Sequence, residues 1–567
     1  MTITPIEGLD LTVNYSINNS DYRRKVYENP YVGDGTAGPG RLNITSSRSN
    51  TQTFNQLINY TKAFGDHHLE ALLGHENYFY KYEYLYGMKT EETMKDLFEF
   101  GNFVNISSLS SYTDNYKKEG YFGRVNYDYA NKYYLTVSYR RDGSSRFSKD
   151  NRWGNFWSFG ASWRISEENF MKDIKWIDNL KIRASYGETG NDAILDSNGD
   201  SDYYPYQTLY GMGYKNYNEA GAYFTIVANP DLKWETQIST DFALEFGLFD
   251  RLSGTIEYFR KASKDLLFDV SQPLSTGVPS VIQNVGKVTN SGVEISLDYK
   301  ILKEKNYGLS VGANVTFLKN ELTKLPETMK DGYVTGSKKW LEGKSMYEFW
   351  LRQWYGVDPE TGDGLWIADP EKYEEGKATF LTRDGKQLTN DYSNAKFDFS
   401  GHSNPNMYGG FNLNAYYKGF DFAAVFSYQL GGKLLDYGYQ GMMDTGSYGQ
   451  SMSPDLLNAW QKPGDITDVP RIDATTAHNT NISTRYSTRW LTSSDYLNLR
   501  SVTIGYQLPK QILNYVAAKS ARLSFAAENL FMLKARQGLN PMAQYSGLVY
   551  NEYMPSRNFT FALNVSF

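Results

Sequence analysis

An acidic loop at 196–202, "DSNGDSD", is the stretch whose residue types and spacing come closest to those of a metal site. Oxygen-bearing side chains stand there at every second position, as in the first half of a calcium-binding loop: Asp196, Asn198, Asp200 and Asp202. Such a loop needs glycine at its sixth place, which is Ser201, and a bidentate glutamate at its twelfth, which is Gln207. The spacing predicts a calcium site with two departures from the pattern, and a solvated acidic loop is the simpler alternative.

Catalytic chemistry has little support in the residue types. The chain has no cysteine, which removes thiol catalysis and disulfides. It has five histidines, and their spacing matches no metal-binding motif: His67, His68, His75, His402 and His478. No Ser, His and Asp grouping can be assembled, and no glycine run precedes a helix as in a phosphate loop. The sequence therefore predicts a protein that is not an enzyme and needs no cofactor other than the calcium considered above.

Two long segments are dense in tyrosine and glycine: "YYPYQTLYGMGYKNY" at 203–217 and "LLDYGYQGMMDTGSYGQ" at 434–450. Tyrosine offers a flat apolar face with a hydroxyl at its tip, which suits sugar rings and peptides. The alternative is that these rings pack on one another. The composition predicts that the following tyrosines line the mouth of a substrate site: Tyr203, Tyr204, Tyr206, Tyr210, Tyr214, Tyr437, Tyr439 and Tyr448.

The composition of the 567 residues restricts the kind of protein that carries these loops. Aromatic residues make up 16 % of the chain, and this excess favours β structure. A net charge of −6 argues against a nucleic-acid partner, which requires a basic surface. The chain has no apolar run long enough for a transmembrane helix, and "MTITPIEGLD" lacks the features of a signal peptide. These observations predict either a cytoplasmic protein or a sequence whose true N-terminus lies upstream.

Apolar and polar residues alternate along most of the chain, which is the pattern of β-strands. We distinguish about sixteen such segments, and many have the roughly nine to eleven residues that a tilted strand needs to cross a bilayer. Aromatic residues often stand near their ends, as at membrane interfaces. The last segment, "NFTFALNVSF", ends the chain with its apolar residues at alternate positions: Phe559, Phe561, Leu563, Val565 and Phe567.

The links between these segments alternate between short and long, as in outer-membrane β-barrels. The short links are 64–68, 130–132, 249–251, 301–306 and 418–420, with two amphipathic turns near 166–178 and 509–519. The long links are 18–52, 80–118, 188–233, 266–290, 319–407, 431–493 and 531–556. Soluble sandwiches and propellers have no reason to separate loop lengths in this way. The pattern predicts an all-β, transmembrane antiparallel β-barrel with short periplasmic turns and long extracellular loops.

Several stretches resemble the SusC/RagA family of TonB-dependent outer-membrane transporters, among them "GYFGRVNYDYANKYYLTVSYRRDGSSRF", "NVGKVTNSGVEISLDY" and "YLNLRSVTIGYQLP". The resemblance implies an importer of glycans, oligosaccharides or peptides in the outer membrane of a Gram-negative bacterium. It implies as partners a SusD-like surface lipoprotein, the TonB complex acting through a plug domain, outer-membrane lipid and the barrel-assembly machinery. It also implies that the alternating residues 559–567 belong to the signal that this machinery recognises.

Family members begin with a signal peptide, a TonB box and a plug domain, none of which is visible here, and their barrels have about 22 strands. We therefore expect residues 1–567 to be the C-terminal part of the barrel domain, without its first strands. The stretch after "GVDPETGDG" (356–364) is "DPEKYEEGK", which does not keep the family's acidic loop, so we expect no metal there. A passive porin-like channel and a non-transporting surface receptor or adhesin remain the alternative functions.

Overall fold

The computed structural model describes residues 1–567 except 38, 196–198, 218, 278–279, 445–448, 450, 473–485 and 517. Over these described ranges, no helix combines the length and the apolar character needed to cross a membrane. The chain divides into two compact units. Unit 1 comprises residues 1–164, 183–240 and 263–286, and unit 2 comprises residues 165–182, 241–262 and 287–567.

The first fourteen strands include the long hairpins of unit 1. They are β1 (Thr2–Ile6), β2 (Leu9–Glu28), β3 (Arg41–Phe64), β4 (His67–Glu92), β5 (Phe103–Tyr129), β6 (Tyr133–Ser144), β7 (Trp153–Arg164), β8 (Ile177–Asn191), β9 (Leu209–Asn216), β10 (Glu219–Ile226), β11 (Glu235–Leu248), β12 (Leu252–Lys264), β13 (Leu267–Ser271) and β14 (Ser280–Asn284). Three of them, β8, β11 and β12, carry residues of both units.

The remaining strands belong to unit 2. They are β15 (Lys287–Lys303), β16 (Tyr307–Lys324), β17 (Tyr333–Thr335), β18 (Lys338–Trp340), β19 (Glu348–Arg352), β20 (Trp354–Val357), β21 (Gly364–Ile367), β22 (Phe380–Arg383), β23 (Lys386–Thr389), β24 (Phe397–His402), β25 (Met407–Tyr417), β26 (Phe420–Leu430), β27 (Lys433–Asp436), β28 (Leu491–Ser493), β29 (Tyr496–Gln507), β30 (Ser520–Lys534), β31 (Leu548–Val549) and β32 (Asn558–Ser566).

Helices are short and lie in the links between strands. Among the described residues, the α-helices are α1 (Tyr437–Met442) and α2 (Lys510–Leu513). Single 3₁₀ turns occupy Gly33–Ala37, Phe100–Asn102, Ile165–Glu167, Asn169–Met171, Leu274–Thr276, Glu327–Met329, Tyr392–Asn394, Pro454–Asn458, Thr488–Trp490 and Asn514–Val516.

In unit 1, strands β1 to β7 form an antiparallel meander in which each strand pairs with the next. The register brings apolar residues of neighbouring strands side by side: Ile58 pairs with Leu73, and Val137 pairs with both Val125 and Phe159. Because cross-strand partners share a face, the sheet has one apolar face and one polar face. The predicted alternation is confirmed.

Aromatic rings mark both ends of the apolar face. At the end with short links, Tyr133 stacks between Tyr129, at 6.4 Å, and Trp163, at 6.2 Å between ring centroids. Towards the end with long links, Tyr121 lies 6.2 Å from Trp153. We call these the turn-end belt and the loop-end belt. Two rings of aromatic residues around an apolar band are typical of strands that cross a bilayer.

In unit 2, a second antiparallel meander runs through β15, β16, β25, β26, β29, β30 and β32. The last strand pairs with β30, so that Phe561 opposes Phe525 and Leu563 opposes Leu523 on the apolar face. The Phe561 side chain is 81 % exposed, as expected for a residue that packs against lipid. Phe567 follows Ser566, the last residue of β32.

The short links agree with the prediction, and two long links do not. Links 18–52 and 80–118 are mostly strand, because β2 continues to Glu28 and β4 continues to Glu92. The actual connections are residues 29–40 and 93–102. Polar residues in these stretches suggest a loop, but the two strands of a hairpin can continue into water for as long as their backbones keep pairing. The short strand β1, which pairs with β2, was also missed.

Candidate functional site

Five tyrosines stand at alternate positions of β4 in the stretch "NYFYKYEYLYG" at 77–87: Tyr78, Tyr80, Tyr82, Tyr84 and Tyr86. Alternate residues of a strand share a face, and this face is the polar one, opposite to the face of Leu73. In the register, Tyr80 pairs with Tyr116 and Tyr84 with Tyr112 of β5. We call these seven residues, together with Tyr203 from the following loop, the tyrosine ladder.

The rings of the ladder contact one another in sequence. Tyr84 stacks on Tyr112 with 5.0 Å between centroids, and Tyr82 lies 6.0 Å from the same ring. Tyr203 lies 5.9 Å from Tyr80 and 5.8 Å from Tyr116. The result is a continuous aromatic surface above the polar face of unit 1. A row of flat rings with hydroxyl tips can stack on sugar rings or on the side chains and peptide planes of a bound chain.

The loop that carries Tyr203 is fixed by Arg146. The guanidinium of Arg146 lies 4.7 Å above the ring of Tyr116 and 5.1 Å above the ring of Tyr203. Nη1 of Arg146 also donates a hydrogen bond of 2.8 Å to the backbone carbonyl oxygen of Asp192. Because Arg146 is buried, both cation–π contacts form away from water, where they are strongest. Arg146 thus holds the loop ring against the strand rings.

The carboxylate of Asp192 is the polar centre of this attachment. It accepts hydrogen bonds from the hydroxyls of Tyr116, at 2.6 Å, and Ser144, at 2.7 Å, and pairs with Lys118 Nζ at 3.3 Å. Burial acts to raise the pKa of Asp192, but the hydrogen bonds from Ser144 and Tyr116 and the nearby Lys118 and Arg146 charges lower it on balance. The carboxylate is therefore ionised at neutral pH and fully hydrogen-bonded.

Two hydroxyls of the ladder, those of Tyr80 and Tyr116, stay protonated at neutral pH. Burial and the neighbouring Tyr203 raise the pKa of Tyr80 to about 12. Burial and the Asp192 charge also raise the pKa of Tyr116. A neutral phenol both donates and accepts hydrogen bonds. Tyr80 and Tyr116 therefore present hydrogen-bonding groups without charge to a bound molecule.

The structure places the predicted tyrosines of unit 1 in three settings. Tyr204 accepts a hydrogen bond of 2.9 Å from the backbone N–H of Asn115, and Tyr206 packs on a core that includes Trp234. Tyr210 and Tyr214, about half exposed, lie on the β9–β10 hairpin. Only Tyr203 joins the ladder among these five predicted residues. Their role in substrate binding stays a prediction.

The predicted tyrosines of unit 2 lie in a core built from links between strands. Tyr437 stacks on Tyr550 with 5.0 Å between centroids, and the hydroxyl of Tyr439 donates to Asp455 at 2.7 Å. The guanidinium of Arg536 lies 4.3 Å above the Tyr439 ring. These contacts correspond to the alternative in which loop aromatics pack on each other. Tyr448 lies outside the described residues.

The predicted calcium loop can be followed only in part, because Asp196 and Asn198 lie outside the described residues. The carboxylate of Asp202 accepts a hydrogen bond of 2.8 Å from the backbone N–H of Tyr204. Within the described ranges, no group of three or more His, Cys, Asp or Glu side chains is arranged to hold a metal ion. The calcium site stays a prediction.

The ladder itself was missed by the sequence interpretation, which assigned residues 80–118 to a long link. Its signal was nevertheless present, since tyrosines at every second position from 78 to 86 can share a face only in a strand. The distant partner could not be predicted, because the four strands β5 to β8 lie between Tyr80 and Tyr203 in the sequence.

The fold and the two-faced strands define an all-β protein with long antiparallel meanders and an apolar outer surface. The sequence matches the family described as TonB dependent receptor-like, beta-barrel, over residues 5–424. The chain belongs to this TonB-dependent receptor family, and the predicted fold class and family resemblance are confirmed.

Relatives support the same assignment. TonB-dependent receptor P3 of Formosa agariphila is 30 % identical over 99 % of this chain and 57 % of its own length. TonB-dependent receptor SusC of Bacteroides thetaiotaomicron is 26 % identical over 91 % of this chain and 50 % of its own length. A solved structure of the RagAB peptide transporter covers 100 % of this chain and 61 % of its own, with 26 % identity and a TM-score of 0.83. The chain thus spans about half to three-fifths of these relatives.

Proposed function

We propose that this chain forms the translocation barrel of a TonB-dependent importer in the outer membrane of a Gram-negative bacterium, and that the tyrosine ladder binds the substrate. The observation that carries the proposal is the position of the ladder. Family membership identifies the apolar face of the strands as the lipid side, so that the opposite face lines the lumen. The ladder lies on this inner face, towards the end with long links.

The substrate class follows from the chemistry of the ladder. Its rings offer stacking surfaces and neutral hydroxyls, which suit a flexible and largely uncharged chain such as an oligosaccharide or a peptide. Among the relatives, SusC is a TonB-dependent receptor and RagAB is a peptide transporter. The protein does no covalent chemistry in this proposal.

The partners follow from the family and remain part of the proposal. Uptake requires the TonB complex, which acts on a plug domain, and a SusD-like surface lipoprotein covers the mouth. The RagAB peptide importer has solved structures in a closed-closed state and in an open-open state. A similar lid on this protein would close over the loop end of the strands, where the ladder lies.

The test is binding and uptake by the complete protein in its native membrane. Tyr80→Ala combined with Tyr84→Ala removes two stacked rings from the ladder. Because a stacked aromatic pair contributes about 0.5–1.5 kcal/mol beyond its buried area, the double variant should weaken binding about tenfold or more. Binding is measured by calorimetry against linear oligosaccharides and against a defined peptide pool, and uptake by accumulation with and without a proton uncoupler.

Tyr139→Ala is the matched control. Tyr139 is also a strand tyrosine with an exposed ring, but it lies on the apolar face and donates to Asn155 at 2.8 Å. The control should bind and transport like the unmodified protein. Equal affinity of the ladder variant and the control would contradict a role for the ladder, and uptake unaffected by the uncoupler would favour a passive channel.

A further inference from the structure

A cavity of about 510 Å³ lies in unit 1 at the loop-end belt, and of the tyrosine ladder it touches Tyr78 alone among its lining residues. Its lining follows a row of cross-strand partners through six strands: Tyr15, Phe54, Asn77, Glu119, Gly143 and Trp153. Cross-strand partners share a face, and this row belongs to the face of Leu73 and Val137. The cavity therefore opens on the outer, lipid-facing side of the sheet.

Two described cations without an ion pair line this cavity, Lys117 and Arg152, and a third, Arg141, lies over the ring of the lining residue Trp153. Lys117 Nζ lies 5.6 Å from the ring centroid of Phe79, and the guanidinium of Arg141 lies 5.3 Å above the ring of Trp153. Arg152 also lines the cavity, and its buried Nε has no hydrogen-bond partner. In the part of the chain that the structure describes, no ion pair joins any of these three side chains to a carboxylate.

The other charged side chains near the cavity have polar partners of their own, and Lys118 pairs with Asp192 at 3.3 Å. Lys81, on the same face, pairs with Glu83 at 2.7 Å. The carboxylate that lines the cavity, Glu119, accepts a hydrogen bond of 2.7 Å from the Tyr121 hydroxyl and lies 3.3 Å from His75 Nε2. Glu119 is the one carboxylate among the described lining residues, so the three cations Lys117, Arg141 and Arg152 leave an excess of positive charge on a surface where an unpaired charge is costly in contact with lipid tails.

The position of the cavity along the strands indicates which group can compensate this positive charge. The apolar band ends at the loop-end belt, and aromatic belts lie at the level of lipid headgroups. Arginine and lysine bind phosphate oxygens through strong charge-assisted hydrogen bonds, and basic pockets at this level bind anionic headgroups. The rings of Tyr15, Phe54 and Trp153 give the cavity aromatic walls on which a headgroup sugar can stack.

We propose that this cavity binds the phosphate-bearing headgroup of a glycolipid of the outer leaflet. Lys117, Arg141 and Arg152 contact the phosphate, and the aromatic walls contact the sugar that carries it. The inference rests on the proposed outer-membrane location but not on the transported substrate. The headgroup and the transported substrate are assigned to opposite faces of the same strands, since the ladder tyrosines alternate with the row of residues named above, and Tyr78 borders the cavity between Asn77 and Phe79.

The test uses the complete protein in detergent and native mass spectrometry. Phosphorylated lipid A is titrated against lipid A from which the phosphates have been removed, and inorganic phosphate is titrated alone. The variant carries Lys117→Gln, Arg141→Gln and Arg152→Gln, with Lys117→Gln alone as a milder change in case the triple variant assembles poorly. Lys81→Gln is the control, because this lysine lies on the same face but is already paired.

Phosphorylated lipid A should remain bound to the unmodified protein and to the control, with at least tenfold less bound to the triple variant and a smaller loss for Lys117→Gln. Equal binding of dephosphorylated lipid, or equal binding by the triple variant, would overturn the proposal. Binding of inorganic phosphate as tight as that of the lipid would show a free-anion site instead. Failure of substrate uptake with lipid binding intact would count against the transport proposal alone.

Discussion

The guanidinium of Arg522 holds the carboxylate of Asp421 across an intervening strand, with 3.0 Å from Nε to Oδ1 and 2.5 Å from Nη2 to Oδ2. The strand between them, β29, places Gly505 opposite Asp421. A Cβ at Gly505 would overlap both the guanidinium and the carboxylate. The two-pronged pair on the polar face of unit 2 thus depends on a residue without a side chain.

We expect Gly505→Ala to separate Arg522 from Asp421 and to lower the temperature at which the folded protein unfolds. The measurement is the loss of heat-modifiable mobility on gel electrophoresis with rising temperature. Gly160→Ala is the control, since the nearest atoms to its added Cβ would be 4.0 Å away. The effect of Gly505→Ala should shrink in a protein that already carries Asp421→Ala, and an undiminished effect would show that the ion pair is not its cause.

The strands could be predicted because their signal is local. Alternation such as Val293, Ile295, Leu297 and Tyr299 identifies a strand and its apolar face, and the short links around residues 130–132 identify a hairpin. The ends of the strands could not be predicted, because β2 to β5 run for 20 to 27 residues, well beyond the apolar band. Outside the bilayer a paired strand no longer needs alternating polarity, so its continuation depends on the partner strand.

The candidate site was predicted less well than the strands for a related reason. A tyrosine-rich composition indicates binding or packing, and only the contacts decide between them. Tyr203 was predicted and joins the ladder, whereas Tyr437 and Tyr439 occupy a core. These outcomes depend on distant residues such as Arg146 and Tyr550, which no local pattern connects to the tyrosines.

Removal of the Asp192 carboxylate should loosen the loop that carries Tyr203. Asp192→Ala leaves the hydroxyls of Tyr116 and Ser144 and the Lys118 ammonium without their acceptor. Leaving buried partners unsatisfied costs about 1–3 kcal/mol, so amide hydrogen exchange in the loop should accelerate about tenfold. Asp231→Ala, an exposed change in the later link between β10 and β11, should leave exchange unchanged, and equal protection in both variants would disprove the role of Asp192.

The lysine Lys338 should give unit 2 a pH dependence in the alkaline range. Burial lowers the pKa of Lys338 from 10.5 to about 8, between the rings of Tyr347, at 4.8 Å, and Phe349, at 5.0 Å. The folded state therefore disfavours the charged amine, and this cost is fully present below pH 8. Stability should rise between pH 8 and pH 10.5, as the folded protein releases the proton before the unfolded chain does.

Competitive acetylation of the complete protein over this range measures the effect directly. The Lys338 amine should become reactive with a midpoint near pH 8, and Lys330, an exposed lysine paired with Glu327, is followed in the same sample as the reference lysine. The Lys338→Met variant should lose the alkaline rise in thermal stability. A shared midpoint for both lysines would show that Lys338 is not desolvated in the folded protein.

Calcium binding at 196–202 can be tested without knowledge of the substrate. If the loop binds calcium, titration calorimetry should detect heat with the unmodified protein and a strongly reduced response with Asp200→Ala, because the variant removes one carboxylate ligand. Asp231→Ala, which lies outside the acidic stretch, should behave like the unmodified protein. No heat from the unmodified protein would identify the stretch as a solvated acidic loop.

The terminal ring of Phe567 should matter for assembly more than for stability. The last backbone contact of β32 is the carbonyl oxygen of Ser566, which accepts a hydrogen bond of 2.6 Å from Lys519, and Phe567 lies one residue beyond it with its side chain 73 % exposed. Replacement of the Phe567 ring by the alanine methyl group therefore breaks no backbone hydrogen bond between β32 and β30. A role in recognition by the barrel-assembly machinery predicts that Phe567→Ala lowers the assembled amount in cells several-fold.

Refolding of the purified protein into lipid vesicles separates recognition from stability. Phe567→Ala should refold and unfold like the unmodified protein, because no assembly machinery is present and the strand pairing is intact. Tyr553→Ala, which changes an almost fully exposed ring outside the strands, should be normal in cells and in vesicles. A Phe567→Ala variant that loses yield equally in both settings would assign the terminal ring to packing, and one that is normal in both would remove Phe567 from the assembly signal.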